Sequence, residues 1–354
     1  VSATTTRLVI PDVLRGIAII AMLIAHAFPL LPGAPRALLY ATGVVNDLAS
    51  PLFALVMGMS AQLMWNASSQ VGRTLLQQAL RGLVLIALGV WITMWGSWVA
   101  VVLAYLGLLL LVGAPLLRLG SRWVAGIALA VALLSDPLNA IARTQLWILG
   151  TDPAVRLLAD LTVLGTSHRL TNLLPFFLLG ALLLRHGARR DRVLWGMAAI
   201  APLAYLVRPV AERISGQTMT QSGTYGDTLH DVGLVFSAYV VVVLLATSDR
   251  AGPARVIGMV FAPLRVWGRL ALSLYLLHAG IIAVWLHLRG FPAVVEPVGW
   301  LLTVVLPLAL TLGWDRWVGV GPMEWAMGWI TARPKPFRGA RPGLLVEGQC
   351  CSVA

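Results

Sequence analysis

Charged residues make up only 11% of this 354-residue chain, where a soluble domain carries about 25%. Together with 59% apolar residues and a mean hydropathy of +0.85, that scarcity excludes a soluble globular protein and points to an integral membrane protein. Cysteine is nearly absent too. Cys350 and Cys351 stand side by side in a polar tail, so neither a structural disulfide framework nor a cysteine metal cluster is expected. Lysine occurs once, at Lys335, among 26 basic residues; with abundant Ala, Val and Leu, the skew towards arginine reads as a GC-rich bacterial coding sequence. The P-loop pattern, the glycine-rich dinucleotide fingerprint after a strand and the GxSxG elbow are all missing, so a phosphate-bearing cofactor would have to be held by arginines.

What the chain does contain is a series of apolar runs, each near the roughly 20 residues that a helical crossing requires. These runs predict an all-α polytopic membrane protein, a single bundle of about ten transmembrane helices near residues 12–31, 44–65, 77–95, 98–117, 122–142, 170–185, 193–208, 230–247, 267–286 and 298–314. The first run follows a short polar start and is too long, with the wrong exit, for a cleaved signal peptide. Residues 1–332 are expected to form the membrane domain and residues 333–354 a flexible cytoplasmic tail. Arginine supplies the orientation. Only Arg36, Arg143, Arg156, Arg169, Arg208, Arg213 and Arg289, seven of 26 basic residues, fall on one side, so the other side is expected to be the cytoplasm, with both termini there. The net charge of +12 is then a consequence of topology in a bacterial plasma membrane, and no nucleic-acid partner is implied. Two connections on the outer side, 136–169 and 209–229, are long enough to bind something or cover a cavity.

An ionisable residue within the bilayer costs roughly 2.5 to 3.5 kcal/mol on insertion scales, so each one should face protein, water or substrate. In LRGIAIIAMLIAH, residues 14–26, Asp12 and Arg15 share one helix face, and His26 returns to within about 20° of Arg15 after a rise of about 16 Å. His26 reads either as a general base reachable from outside or as a histidine bonded within the bundle. Asp47, at the expected start of the second span and near the depth of His26, reads either as the carboxylate that orients an imidazole or as a helix cap. His278 lies at a comparable depth in GRLALSLYLLHAG, with Tyr275 a turn before it. It invites a cavity shared with His26, beside an equally open structural reading. His230 and Asp231 would contact an acceptor, or cap a helix with the histidine solvated. His168, His186 and His287 read as interfacial, and no histidine has metal-ligand spacing, so no metal is expected.

These residues carry a resemblance. RLVIPDVLRGIAIIAMLIAH, residues 7–26, is similar to the opening of the acyltransferase-3 membrane acyltransferases, and VVNDLASPLFALVMGMSAQL resembles the second-helix signature of the heparan-α-glucosaminide N-acetyltransferase family. LPFFLLGALLLRHG, GRLALSLYLLH and GPMEW resemble a related bacterial family of unknown function. The resemblance implies transfer of an acyl group from cytoplasmic acyl-CoA, acetyl-CoA first among donors, to a hydroxyl or amine of an extracytoplasmic sugar or glycolipid, with membrane lipids as surroundings. Carried over, His26 matches the acyltransferase-3 histidine and Arg15 its LRG arginine. DVLRG stands here where that family has DGLRG, and residues 27–46 contain no histidine where the glucosaminide enzymes place theirs. On this reading Asp12 and Arg15 hold the donor, His26 or His278 takes the acceptor's proton with Asp47 in support, helix-end amides or Tyr275 face the oxyanion, and His230 with Asp231 meets the acceptor. Two other classes fit the same buried charges: a transporter or flippase of an envelope lipid or glycan precursor, and a non-catalytic membrane scaffold.

Overall fold

The computed structural model describes residues 9–145, 152–216, 222–247 and 251–332. The tail expected over 333–354 lies outside them. The described residues are 83% helical. Its first five helices are α1 (Val9–Ala27), α2 (Arg36–Asn66), α3 (Val71–Thr93), α4 (Leu103–Leu116) and α5 (Ser121–Thr144). A short α6 (Pro153–Ala159) runs into a π-helical turn over Asp160–Leu164, followed by α7 (Leu170–His186), α8 (Arg192–Ser215), α9 (Tyr225–Ala246), α10 (Ala251–Arg269) and α11 (Ala271–Arg289). Helix α12 (Pro297–Trp317) and the short α13 (Pro322–Ile330) close the series.

Eight of these helices are long and apolar enough to cross a membrane, and α4 and α7 are shorter apolar helices. Together the ten coincide with the ten expected spans, which makes this an all-α polytopic membrane protein. The structure adds α10, in a region read from sequence as a connection. Its arginines kept it from looking like a span, yet Phe261 and Gly268 are buried, and Gly268 and Gly16 bring the backbones of α10 and α1 into contact.

Small residues set the packing, as they must where lipid and side chains are equally apolar. Gly58 of α2 meets the backbone of Phe177 in α7, and Gly180 of α7 meets the backbone of Leu55 in α2. A side chain at either position would overlap main chain, which has no rotamer to yield. Gly180→Val should therefore lower stability by about 1–3 kcal/mol or more, read as a fall in melting temperature in detergent. Gly196→Val, with open space around it, should leave it unchanged. Trp123, Leu203 and Ile214 project outward from α5 and α8, as residues facing hydrocarbon do.

Two departures from regular helix position the polar interior. Helix α4 has 14 residues, about 21 Å, too short for a core of about 30 Å. The missing length comes from the non-helical residues 94–102. Backbone without helical bonds is tolerated at that depth only where it lines a cavity or is buried in protein, and Trp98 secures it by donating its indole N–H to the carbonyl of His26 at 2.8 Å. The second departure is Pro51 inside α2, which leaves the Asp47 carbonyl without its helical donor. At the other end of the bundle Glu324 of α13 accepts from the Leu272 and Ser273 amides at 2.8 and 3.2 Å and from the Ser273 hydroxyl at 2.5 Å. The GPMEW segment is thus the N-terminal cap of α11, supplied from about fifty residues away.

Candidate functional site

Two cavities lie back to back inside the bundle. The first, about 400 Å³, opens among Asp12, Arg15, Arg81, Arg269 and Glu324 and continues inward past Leu103, Leu106 and Tyr275. The second, about 270 Å³, is mostly polar and is lined by His26, Asp47, His168, Arg208, Asp227 and Asp231, among others. Phe53 of α2 and Val102, the residue before α4, belong to both linings. They stand where the two cavities adjoin, at the neck of the interior.

The Arg15 cavity is a cationic mouth above an apolar shaft. Arg15 donates to the Ser60 hydroxyl at 2.5 Å and to the Gly268 carbonyl at 3.2 Å, and its guanidinium is 3.4 Å from the Asp12 carboxylate. The pair expected from the i, i+3 spacing is therefore present and tied to α2 and α10. Arg269 is held by both oxygens of Asp315 at 2.8 and 3.0 Å, and Arg81 donates to the Met64 sulfur at 2.9 Å. Sequence reasoning singled out only Arg15 of these three.

At the other end His26 faces the second cavity, and its ring stacks on that of His278 with centroids 5.5 Å apart and planes 17° apart. The matching depth expected of the two histidines is observed. A shared cavity is not, because His278 is wholly buried and lines neither space. Its Nδ1 donates to the Thr303 carbonyl at 2.7 Å, a carbonyl within the π-helical turn Leu301–Val305 of α12. Its Nε2 is buried without a hydrogen-bond partner.

Asp47 is also placed differently from expectation. Helix α2 starts at Arg36, so Asp47 sits well inside it and caps nothing. It shares the second cavity with His26, but its carboxylate bonds Arg208 of α8 at 3.0 Å and lies 3.8 Å from Nε2 of His230. Arg208 also reaches Asp227 at 3.1 Å and Glu212 at 3.4 Å. His230 is buried rather than solvated. It donates from Nδ1 to the Tyr205 carbonyl at 3.0 Å and packs against the Tyr205 ring, behind the cavity wall. The cap of α9 is Thr224, whose hydroxyl accepts from the Asp227 amide, so neither His230 nor Asp231 serves that role. Asp231 lines the cavity.

His168, read from sequence as interfacial, instead lines the second cavity with His26 and meets the Tyr105 ring edge-on at 5.6 Å. Burial pulls its imidazole from the ordinary 6.5 down to about 4, so it is neutral at physiological pH. A histidine whose folded pKa lies below its unfolded one stabilises the fold fully above pH 6.5 and progressively less as pH falls towards 4. His168→Asn should therefore show a smaller loss of melting temperature between pH 7 and pH 5 than the wild-type protein.

The molecule is thus a polytopic helical bundle with an arginine-bordered, largely apolar cavity at one end and a polar cavity at the other. The comparisons give that class a family. Residues 7–183 match the family "Heparan-alpha-glucosaminide N-acetyltransferase, catalytic", and residues 180–334 match a family described as "Protein of unknown function (DUF418)". The chain belongs to this acyltransferase-like membrane family. No curated protein matches it significantly in sequence.

Proposed function

We propose that the protein transfers an acyl group, acetyl in the first instance, from acyl-CoA bound at the Arg15 end to a hydroxyl or amine of a glycan or glycolipid bound at the His26 end. The observation that carries this reading is the neck: two cavities of opposite chemical character meet at Phe53 and Val102. The donor side fits coenzyme A by its chemistry. Arg15, Arg81 and Arg269 would meet the nucleotide phosphates, while Leu103 and Leu106 would flank the pantetheine thread. The acceptor side offers carboxylates, one guanidinium and amides, the groups that bind sugar hydroxyls and amines. The family description makes an α-glucosaminide the first acceptor to try.

In this reading the thioester carbon reaches the neck from one side and the acceptor from the other. His26 accepts the acceptor's proton as the new bond forms. Asp47 then acts through Arg208 and His230 on the shape of the basin, and His278 acts through its stack on His26. Arginine asymmetry supports placing the Arg15 end at the cytoplasmic face of a bacterial plasma membrane.

The test is comparative mass spectrometry of envelope glycans and glycolipids from a host producing the wild-type protein, the His26→Asn protein or neither. Wild-type alone should add an acyl mass, 42 Da for acetyl, to one sugar species. Identical spectra in all three would remove the reading, and relocation of an unmodified glycan would favour a transporter.

A further inference from the structure

Helix α3 packs on α4 through small residues. Thr74, Gln78, Gly82, Leu85, Gly89 and Ile92 recur at helical spacing and are buried, and Gly82 and Gly89 meet the backbones of Gly107 and Ala104 in α4. A stripe this close to its neighbour is held in place. Gln78 is its odd member, because a carboxamide taken out of water costs free energy unless its oxygen and its nitrogen are both bonded.

Only the nitrogen is bonded. Gln78 is 1% exposed, its Nε2 donates to the Ala61 carbonyl of α2 at 3.4 Å, and its Oε1 is buried without a hydrogen-bond partner. Turning the amide over would set the oxygen against that same carbonyl, so the orientation is fixed. A second observation says where this side chain stands. Gln78 borders the Arg15 cavity, as the one carboxamide among the described residues on its lining. Ala61 follows Ser60, the residue that accepts from Arg15, so the carboxamide lies close to the cationic mouth. Leu85, two turns further along α3, borders the apolar part of the same cavity.

We propose that Gln78 Oε1 accepts a hydrogen bond from an amide N–H of the donor, which makes this cavity selective for a pantetheine thioester over a simple acyl chain. The proposal rests on the acyl-CoA reading above and adds a specificity-determining residue to it. The arm of CoA beyond the phosphates carries two secondary amides, whereas a lipid acyl chain carries none. An acceptor held beside a cation therefore selects a thread with a donor just past its phosphates. Methionine at this position would fill the stripe without leaving a buried oxygen unbonded, so packing alone does not account for the glutamine.

Calorimetric binding to the full chain in detergent tests the assignment with four ligands. These are acetyl-CoA, adenosine 3′,5′-bisphosphate, which has phosphates and no arm, and two acetyl-CoA analogues, each with one amide N–H replaced by an ester oxygen. The wild-type protein should bind one of the two analogues about 10-fold more weakly than acetyl-CoA, the scale of one net hydrogen bond. Gln78→Met should bind acetyl-CoA about 10-fold more weakly than wild type, lose the preference for amide over ester, and bind the bisphosphate unchanged. Gln77→Met, at a neighbouring residue that borders neither cavity, should match wild type throughout. Equal wild-type affinity for acetyl-CoA and both analogues overturns the assignment even if Gln78→Met does not fold, and leaves the acyl-transfer reading in place. So does a Gln78→Met protein that binds acetyl-CoA as tightly as wild type, or one that loses bisphosphate affinity to the same degree. If the wild-type protein does not bind acetyl-CoA at all, both fall.

Discussion

His26→Asn is expected to lower turnover by about 10²- to 10⁴-fold, the usual contribution of a positioned general base, with acetyl-CoA affinity unchanged. The two effects separate because His26 borders only the polar cavity, whereas the groups assigned to the donor border the other. Asparagine keeps a planar polar side chain of similar reach, and the Trp98 bond is made to the His26 backbone, so the end of α1 stays tied to residues 94–102. Initial rates under saturating donor, paired with direct acetyl-CoA binding, give the answer. Normal turnover in the asparagine protein would make His26 structural and move the search to His168, the other imidazole on that cavity.

The second large effect is expected at the neck. Phe53 is an ordinary apolar residue on α2, yet it is shared by both cavities, so enlarging it should separate them. Phe53→Trp should leave acetyl-CoA binding intact and reduce acyl transfer by about 10²-fold, the scale on which a displacement of about 1 Å between reacting groups is felt. Transfer rate and donor affinity measured on the same purified protein distinguish a closed neck from a damaged donor site. Unchanged transfer would place the chemistry elsewhere.

The span architecture was legible because hydrophobic length and helix period are local properties. Asp12, Arg15 and His26 could be assigned to one stripe of α1 from spacing alone, and they do occupy opposite ends of the interior. Errors arose where tertiary structure overrides a local signal. Asp47 followed by Pro51 looks like a helix start because proline is favoured in a first turn. Helix α2 nonetheless runs back to Arg36. Arg208 reads as an outer basic residue, and spacing alone could not add that it joins α2, α8 and α9 through Asp47, Glu212 and Asp227. His168 lies in a polar connection whose fold-back into the bundle has no one-dimensional signature. Neither Phe53 nor Val102 carries a chemical label. They matter only by where the irregular segment before α4 meets α2, and the unbroken apolar run over residues 98–117 gave no local hint that the helix would begin only at Leu103.

The central claim is that donor and acceptor reach the neck from opposite membrane faces. Its most direct test uses the full chain in vesicles oriented with the Arg15 end outward, an α-glucosaminide enclosed and [¹⁴C]acetyl-CoA added outside. The account predicts label on the enclosed sugar, with no label when donor and acceptor exchange sides. Label appearing only when both are supplied on the same face would contradict it.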